Sequence, residues 1–353
     1  MSSAKRNLIV VATTSAEAAL PQPAEPDLND TVSSRVADRI SASVPESTRR
    51  AYTKDWAHFS AWCTATGRTA LPATDETLAE YASARADQGR APATISRSIS
   101  VVRVIHRLNG HAQPDALAAR AVIKSYRAER AAAGQANERR AEAVQIEQLR
   151  AMVAACQSPT DDPRRREWRP PATVARDRVV LVLGWAMMAR RSELEALNIS
   201  DVTEATHGLE VMVRMSKTDH LSDGSSVAIP YGSDPETCPV RLVRAWLQIL
   251  AEYQITTGPL IRQIDQHGNV RGRLSGQSIS RVVTRAAERA GLDPATIRGH
   301  SLRAGGATGA YLGGADLVAI TRHGRWTDGS TAVLRYIRDV DRWAKNPMHR
   351  AGL

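Results

Sequence analysis

Residues 299–306 read Gly-His-Ser-Leu-Arg-Ala-Gly-Gly. A helix over this stretch puts His300 and Arg303, three residues apart, on one face. Gly305 and Gly306 carry no Cβ, so a second helix or backbone can approach closely there. A second stretch, RHGRWTDGSTAVLRYIRD at 322–339, brings His323, Trp326 and Tyr336 within one short span.

Working back from these stretches, SGQSISRVVTRAAERAGL (275–292) and PVRLVRAWLQILAEYQ (239–254) have helical spacing. The period then changes. LEVMVRM (209–215) and SVAIPYG (226–232) alternate or run apolar and are β-branched. The segment SKTDHLSDGS (216–225) between them forms turns, which predicts a β-hairpin carrying Lys217 on its turn. Further back, TVARDRVVLVLGWAMMARRSELEALNISDV (173–202) and AVQIEQLRAMVAACQ (143–157) read as helices. In the first of these, MMARRSELEALNISD (187–201) places the pair Arg190–Arg191 on a helix. A polar stretch, AAAGQANERRAEA (131–143), reads as a linker, set at 135–142.

Residues 31–134 are helical throughout and predict a small bundle. SVPESTRRAYTKDWAHFSAWCTATG (43–67) opens with Pro45 and a Ser47 cap and stops at Gly67. Its Tyr52, Trp56 and Phe59 fall on one apolar stripe. Helices over 75–89, 91–110 and 114–134 follow, each begun by a cap or proline and ended by glycine. Residues 85–130 carry basic side chains at 85, 90, 97, 103, 107, 120, 124, 127 and 130 against acids at 87, 115 and 129. Such a cluster is ordinarily a solvated face. Its density favours a phosphate-contacting one, with Arg85, Arg90, Arg97, Arg103, Arg107, Arg120, Lys124 and Arg127 as candidates. Residues 1–30, with PQPAEPD at 21–27, read as a disordered arm.

The totals agree. In 353 residues there is room for two ordinary domains. Hydrophobic residues make up 42%, but aromatics only 4%, with Phe59 the single phenylalanine, so cores must be aliphatic. Lys and Arg number 47 against 37 Asp and Glu, a net charge of +10, which suggests a polyanionic partner. Cys63, Cys156 and Cys238 lie far apart and make no CxxC, against a disulfide framework or structural zinc. The run LIVVA at 8–12 is too short for a signal peptide, and no other apolar run approaches a membrane span. A cytoplasmic, bacterial protein is expected, and alanine- and arginine-rich usage suggests a GC-rich genome, plasmid or phage.

Arg190-x-Ser192-Glu193-Leu194, Lys217 on a hairpin, His300-x-x-Arg303, Trp326 and Tyr336 resemble, in order and spacing, the tyrosine recombinase (phage integrase) family. The resemblance covers residues 31–353, weakly in the first domain and strongly over 175–340. Within the family, GHSLRAGG with GRWTD…YIRD looks most like the Cre-type branch. The implied fold is mainly α with a small β-sheet or hairpin. A helical core-binding domain (31–134) and an α+β catalytic domain (143–353) would form a C-shaped clamp on DNA. By resemblance Arg190 is the first catalytic arginine, with Arg191 as its rival. Glu193 buttresses it. Lys217 is the hairpin lysine, His300 and Arg303 the His-x-x-Arg pair, and Tyr336 the nucleophile. Trp326 takes the His/Trp position, with His323 as a rival. Many members place the tyrosine nine residues after that position. Here the gap is ten, which one extra residue in TDGST explains.

The chemistry accounts for these residue types. Phosphoryl transfer spreads negative charge over nonbridging oxygens, and a guanidinium fork matches them and stays charged. Arg190 and Arg303 could clamp a phosphate without metal. His300 could hydrogen-bond it and accept the tyrosine proton. A free tyrosine, with a pKa of about 10, needs such a cationic pocket. Lys217 could protonate the leaving 5′ oxygen. GHSLRAGG thus looks like half of a phosphate clamp. Taken singly, each piece has an ordinary explanation: an Arg-Arg pair is commonly surface, a turn lysine solvated, and Trp326 or Tyr336 core. Tyr311 equals Tyr336 in type, and position alone rejects it.

The expected function is site-specific DNA recombination through a 3′-phosphotyrosine and a Holliday junction, with no cofactor, metal or ATP. Expected partners are double-stranded DNA with inverted repeats and, on two such sites, a homotetramer of otherwise monomeric protein, with no membrane. The tail 340–353, with Trp343, Met348 and Leu353 as anchors, would dock into a neighbouring protomer. Rival readings are a catalytically silent DNA-binding protein and a type IB topoisomerase-like relaxase.

Overall fold

The computed structural model describes residues 46–135, 141–157, 170–214 and 224–327, with isolated positions 33, 35, 39, 44, 329, 331, 333, 334, 336, 348 and 351. The expected arm at 1–30, Lys217, and the tail other than Met348 and Ala351 lie outside the described residues. The chain divides into two compact units, Met1–Glu138 and Arg139–Leu353.

In the first unit, α1 (Glu46–Ala65), α2 (Asp75–Asp87), α3 (Pro92–Leu108) and α4 (Leu117–Ala132) pack as a bundle, α2 against α4 and α1 against α3. The stripe on α1 points inward. Trp56 and Phe59 are buried and Tyr52 packs beside them. Phe59 meets Tyr81 edge-on at 5.0 Å between ring centroids, a favoured aromatic geometry. The aromatics of this unit are thus gathered into one core. Thr74 caps α2, its hydroxyl accepting from the Thr77 N–H at 3.2 Å. Each of the four helices runs out just before a glycine of left-handed backbone; at the two ends of the bundle these are Gly67, φ 69°, and Gly134, φ 71°. Because α1 already begins at Glu46, Ser47 lies inside its first turn and is not the cap.

The second unit runs α5 (Ile146–Ala155), α6 (Pro171–Ala186), α7 (Arg191–Ala196), β1 (Val202–Ala205), β2 (Gly208–Val213), β3 (Ser225–Pro230), α8 (Pro239–Glu252), β4 (Arg262–Ile264), β5 (Val270–Arg273), α9 (Gly276–Arg289), α10 (Gly299–Leu312) and α11 (Leu317–His323). The hairpin forms as its alternation requires. Leu209 opposes Ile229 and Val211 opposes Val227, and all four are buried. β1 adds to the other edge of β2, giving an antiparallel sheet of order β1-β2-β3. Neither β1 nor the β4–β5 pair was legible from the sequence. They have three or four residues each, and β1 is mostly exposed, so it carries no burial alternation. α6 is the central strut. Val179, Val180, Leu181, Val182 and Leu183 are all buried, so this helix is enclosed on every side.

The helix expected over 173–202 is broken. α6 stops at Ala186, and the chain turns through Met188 at φ 46°. The Met188 N–H bonds to Trp185 O at 3.0 Å and the Ala189 N–H to Gly184 O at 2.9 Å. This pair of bonds is the Schellman ending, built here without glycine. Arg190 is therefore extended, at φ −72° and ψ 149°, and stands before α7 instead of within a helix.

The two glycines of the opening stretch explain how α10 docks. A Cβ on Gly305 would lie 2.1 Å from Val144 O, and one on Gly306 2.3 Å from Trp185 O. Both contacts are impossible for any larger residue, so α10 approaches α6 at backbone distance. The Trp185 indole N–H donates to Val144 O at 2.9 Å across the same seam.

Candidate active site

A helix end exposes carbonyls that lack intrahelical partners. At the end of α6 three successive ones are met by three side chains. His323 Nε2 donates to Ala186 O at 2.7 Å. Arg325 Nη2 reaches Met187 O at 3.2 Å, and Arg303 Nη1 reaches Met188 O at 2.5 Å. The negative pole of the helix thereby gathers two guanidinium cations and an imidazole N–H.

Arg303, on the first turns of α10, is 1% exposed. Its guanidinium carbon lies 3.9 Å from the centroid of the Trp326 ring, a desolvated cation–π contact. Its Nη2 is buried and has no hydrogen-bond partner among the described residues. Arg85 Nε and Arg178 Nε are likewise buried without an acceptor among the described residues, so it is the place of this donor, beside Arg190, His300 and Tyr336, that fits an oxyanion supplied from outside. Burial, then the nearby Arg190 charge, push the Arg303 pKa down to about 9, with Glu193 opposing. It remains a cation at neutral pH.

Arg190 Nη1 donates to Glu193 Oε1 at 2.6 Å, and its Nη2 donates to the Arg325 carbonyl at 3.1 Å. Glu193, 2% exposed, also accepts the Arg190 backbone N–H at 2.8 Å and Arg325 Nη2 at 2.6 Å, both on Oε2. Burial pushes the Glu193 pKa up. The charge and hydrogen bond of Arg325, followed by the Arg190 bonds, outweigh it and hold the carboxyl below its ordinary range. Arg191, the neighbour in the pair, is exposed on α7.

His300 Nε2 lies 2.5 Å from Tyr336 Oη. Partial burial, then the Arg303 and Arg190 charges, lower its pKa below the usual imidazole value, although the residue keeps an exposed surface. A neutral ring is an acceptor, so the tyrosine hydroxyl donates to Nε2. Tyr336 packs on a small cluster of Met188, Ala307, Ile320, Trp326 and Val333. Its ring centroid is 6.0 Å from that of Trp326, and the Thr308 hydroxyl donates to its carbonyl at 3.3 Å.

Arg190, Glu193, His300, Arg303, Trp326 and Tyr336 thus come together in one place. The comparisons agree with this constellation. Residues 143–342 match the phage integrase family. An integrase/recombinase XerD homolog from Selenomonas ruminantium is 31% identical over 327 residues, covering 91% of this chain and 90% of that protein. The chain belongs to the phage integrase family. It is a tyrosine site-specific recombinase.

Two solved structures share the fold of this recombinase. A lambda integrase fragment (residues 75–356), a dimer bound to a COC′ core site, has a TM-score of 0.55 at 19% identity. It covers 87% of this chain and 95% of that one. A XerH site-specific recombinase bound to palindromic difH has a TM-score of 0.58 at 14% identity, covering 89% of this chain and 82% of that one.

The expected basic face of the recombinase's first unit needs one correction. Arg85 is buried, its guanidinium 5.9 Å over the Tyr81 ring and donating to Gln88 Oε1 at 2.9 Å. The helix turns it inward, where the ring and the amide replace water. Arg97 is exposed but its fork is engaged by buried Asp55, at 2.8 and 3.2 Å. Arg103 is half-buried and donates to Pro114 O at 3.0 Å. Arg90, Arg107, Arg120, Lys124 and Arg127 are exposed. The last three follow i, i+4, i+7 spacing on α4, which puts them on one face.

Sequence reasoning missed Arg325, which binds Glu193 and accepts from Arg190. It sits one residue after Gly324, and that glycine looks like a sufficient helix stop. Gly324 is needed for another reason, because a Cβ would lie 1.8 Å from the Trp326 ring. The left-handed position itself falls to Arg325, φ 56°. The second unit also holds an apolar cavity of 610 Å³, lined by Ile146, Val182, Trp185, Ile229, Ala310 and Ile320 among others.

Proposed function

We propose that Tyr336 is the nucleophile of this recombinase and that Arg190, His300, Arg303 and Trp326 form its phosphate site. One observation carries the reading: the 2.5 Å contact of His300 Nε2 with Tyr336 Oη, beside a buried arginine whose Nη2 has no acceptor among the described residues. The tyrosine oxygen attacks a DNA phosphorus as its proton passes to His300. The bond to the 5′ oxygen breaks, and Lys217 gives that oxygen a proton. Arg190 and Arg303 bind the nonbridging oxygens, where charge accumulates. Trp326 keeps Arg303 in place. The 3′-phosphotyrosine conserves the bond energy, so the freed 5′ hydroxyl of a partner duplex reverses the step without ATP or metal. Two rounds pass through a Holliday junction.

The exposed basic residues of the first unit support double-stranded DNA as the substrate, and +10 of net charge agrees. The lambda integrase and XerH structures are DNA complexes by their descriptions. We infer inverted-repeat sites, four protomers on two sites, and action in the cytoplasm on bacterial DNA. Among the described residues no helix is long and apolar enough to cross a membrane. The 610 Å³ cavity supports the reading that a neighbour's tail, residues 340–353, docks in the catalytic unit. Truncation after Asp341 would then abolish synapsis.

The test is a covalent adduct. Duplexes that the protein binds most tightly are selected from a random library, nicked near the repeat centre, and incubated with protein in EDTA. A denaturing gel is expected to resolve an adduct with wild type and none with Tyr336→Phe. An adduct that survives Tyr336→Phe overturns the assignment of the nucleophile. Tight binding with no adduct favours the silent DNA-binding protein.

A further inference from the structure

We propose that Arg325 is a positioning residue of the phosphate clamp, holding Arg190 in its working orientation through Glu193 and through its own carbonyl. The inference rests on the reading of Arg190 as a phosphate ligand.

Arg325 touches Arg190 along two routes. Its Nη2 fixes Glu193 Oε2 at 2.6 Å, and the other oxygen of that carboxylate holds Arg190 Nη1. Its backbone carbonyl accepts Arg190 Nη2 at 3.1 Å. The two routes leave the Arg190 guanidinium little freedom to turn. A fork is required for this work. Nη1 donates to His323 O at 2.8 Å while Nη2 bridges Glu193 and Met187 O. An ammonium head cannot satisfy three acceptors spread across a plane.

The backbone serves the same end. α11 closes with the Arg325 N–H on Arg322 O and the Trp326 N–H on Thr321 O, both at 3.0 Å. This is the same ending that closes α6, and it puts Arg325 at the left-handed position. The turn aims the Arg325 carbonyl at Arg190 and delivers the next residue, Trp326, onto Arg303. Two consecutive residues therefore set both arginines of the clamp. Left-handed backbone alone does not mark function, since Gln254 at the end of α8 has φ 59° in no such network. The distinction lies in what Arg325 holds.

Its Nη1 and Nη2 are both committed to protein acceptors, and only Nε has none among the described residues, so the fork is spent on Glu193 and the two carbonyls and not on a DNA phosphate. Glycine suits its φ, so Arg325→Gly removes the guanidinium while leaving the turn intact. Arg325→Lys keeps the charge and loses the fork. Full-length wild type, both variants, Glu193→Gln, and the double variant Glu193→Gln/Arg325→Gly are compared on the library-selected nicked duplex. Single-turnover adduct rate, duplex affinity and thermal midpoint are measured.

A misplaced catalytic group costs on the order of 10²-fold in rate. We expect Arg325→Gly to lose about that much at unchanged duplex affinity, with Arg325→Lys between it and wild type. The double variant should be no slower than the slower single, because both act on Arg190 through one route. A lowered thermal midpoint is expected on either reading, because the buried pair with Glu193 is broken; a merely structural residue would lower duplex affinity with it, and its effect on the rate would add to that of Glu193→Gln. Either result overturns the proposal, as does a wild-type rate in Arg325→Gly. If Arg325→Gly does not fold, Arg325→Lys decides: folded and slowed supports the proposal, folded and as fast as wild type ends it. Wild type that forms no adduct fails earlier, at the reading of the site itself.

Discussion

At the residue scale, the site sets two protonation states against their surroundings. His300 must be neutral to take the tyrosine proton. Burial, Arg303 and Arg190 all disfavour its charged form. Its folded pKa is lowered, so protonation waits until the pH drops below the ordinary imidazole value of about 6.5. The single-turnover adduct rate should stay level through neutral pH and fall only in mild acid. His300→Gln should be slower by about 10²–10⁴-fold, the usual worth of a general base, and should lack that acid limb. An acid limb that persists in His300→Gln would assign the titration elsewhere. Glu193 is the opposite case. Its folded pKa is depressed, so its contribution to stability is complete above the ordinary carboxylate pKa and disappears as pH falls through the depressed value. Replacing it with alanine strands Arg325 and half of Arg190 in the interior. Breaking such a buried pair costs about 3–5 kcal/mol. Denaturant unfolding of Glu193→Ala should reveal that deficit at neutral pH and a narrowing one in acid.

At the element scale, the site is made where helices stop. α6 ends at Ala186 and α11 at His323, each closed by a left-handed residue that is not glycine. The residues that the structure gathers at Tyr336 were legible because the proposed chemistry calls for their types: a phosphate needs forked cations, and a tyrosine nucleophile needs a base. The helical bundle of the first unit was legible because glycine marks its stops and apolar spacing its inner face. The break at 187–190 was not. Met-Met-Ala-Arg contains no breaker; the turn is closed by local bonds to Gly184 and Trp185, and the distant His323, Arg325 and Arg303 side chains hold its carbonyls. Arg325 was hidden too, because no sequence signal sets an arginine at a left-handed position when a glycine stands beside it. By contrast, the reading of Gly305 and Gly306 as a close approach survives in atomic detail. A methyl on Gly306 would meet the carbonyl of Trp185 at 2.3 Å, and neither helix backbone can yield. Overpacking of this kind costs about 1–3 kcal/mol. Gly306→Ala should therefore lower the thermal midpoint. Because α10 carries both His300 and Arg303, it should also slow adduct formation. A variant of unchanged midpoint would mean that the seam between α6 and α10 is looser than described.

At the scale of the whole molecule, the proposed function gives the two units different kinds of charge. In the second unit the arginines of the site are buried, stacked or paired, as contacts to a single phosphate would require. In the first unit Arg120, Lys124 and Arg127 are exposed on one face of α4, where long side chains can follow a DNA backbone without reading bases. The two kinds of contact differ in a measurable way. Neutralising an exposed phosphate releases a counterion, and the logarithm of affinity then falls with the logarithm of salt by about 0.9 per contact. Replacing Arg120, Lys124 and Arg127 together by serine should weaken duplex binding alike on selected and unrelated sequences. The salt slope should shrink by up to about three such increments. At saturating DNA the adduct rate should be unaltered, because nothing in the phosphate site has moved. Arg85→Ser makes the contrast. Its guanidinium lies in the bundle against Tyr81, so this change should lower the stability of the first unit and leave the salt slope alone. If the α4 triple variant keeps the wild-type slope while Arg85→Ser reduces it, the DNA-facing surface lies elsewhere on the bundle.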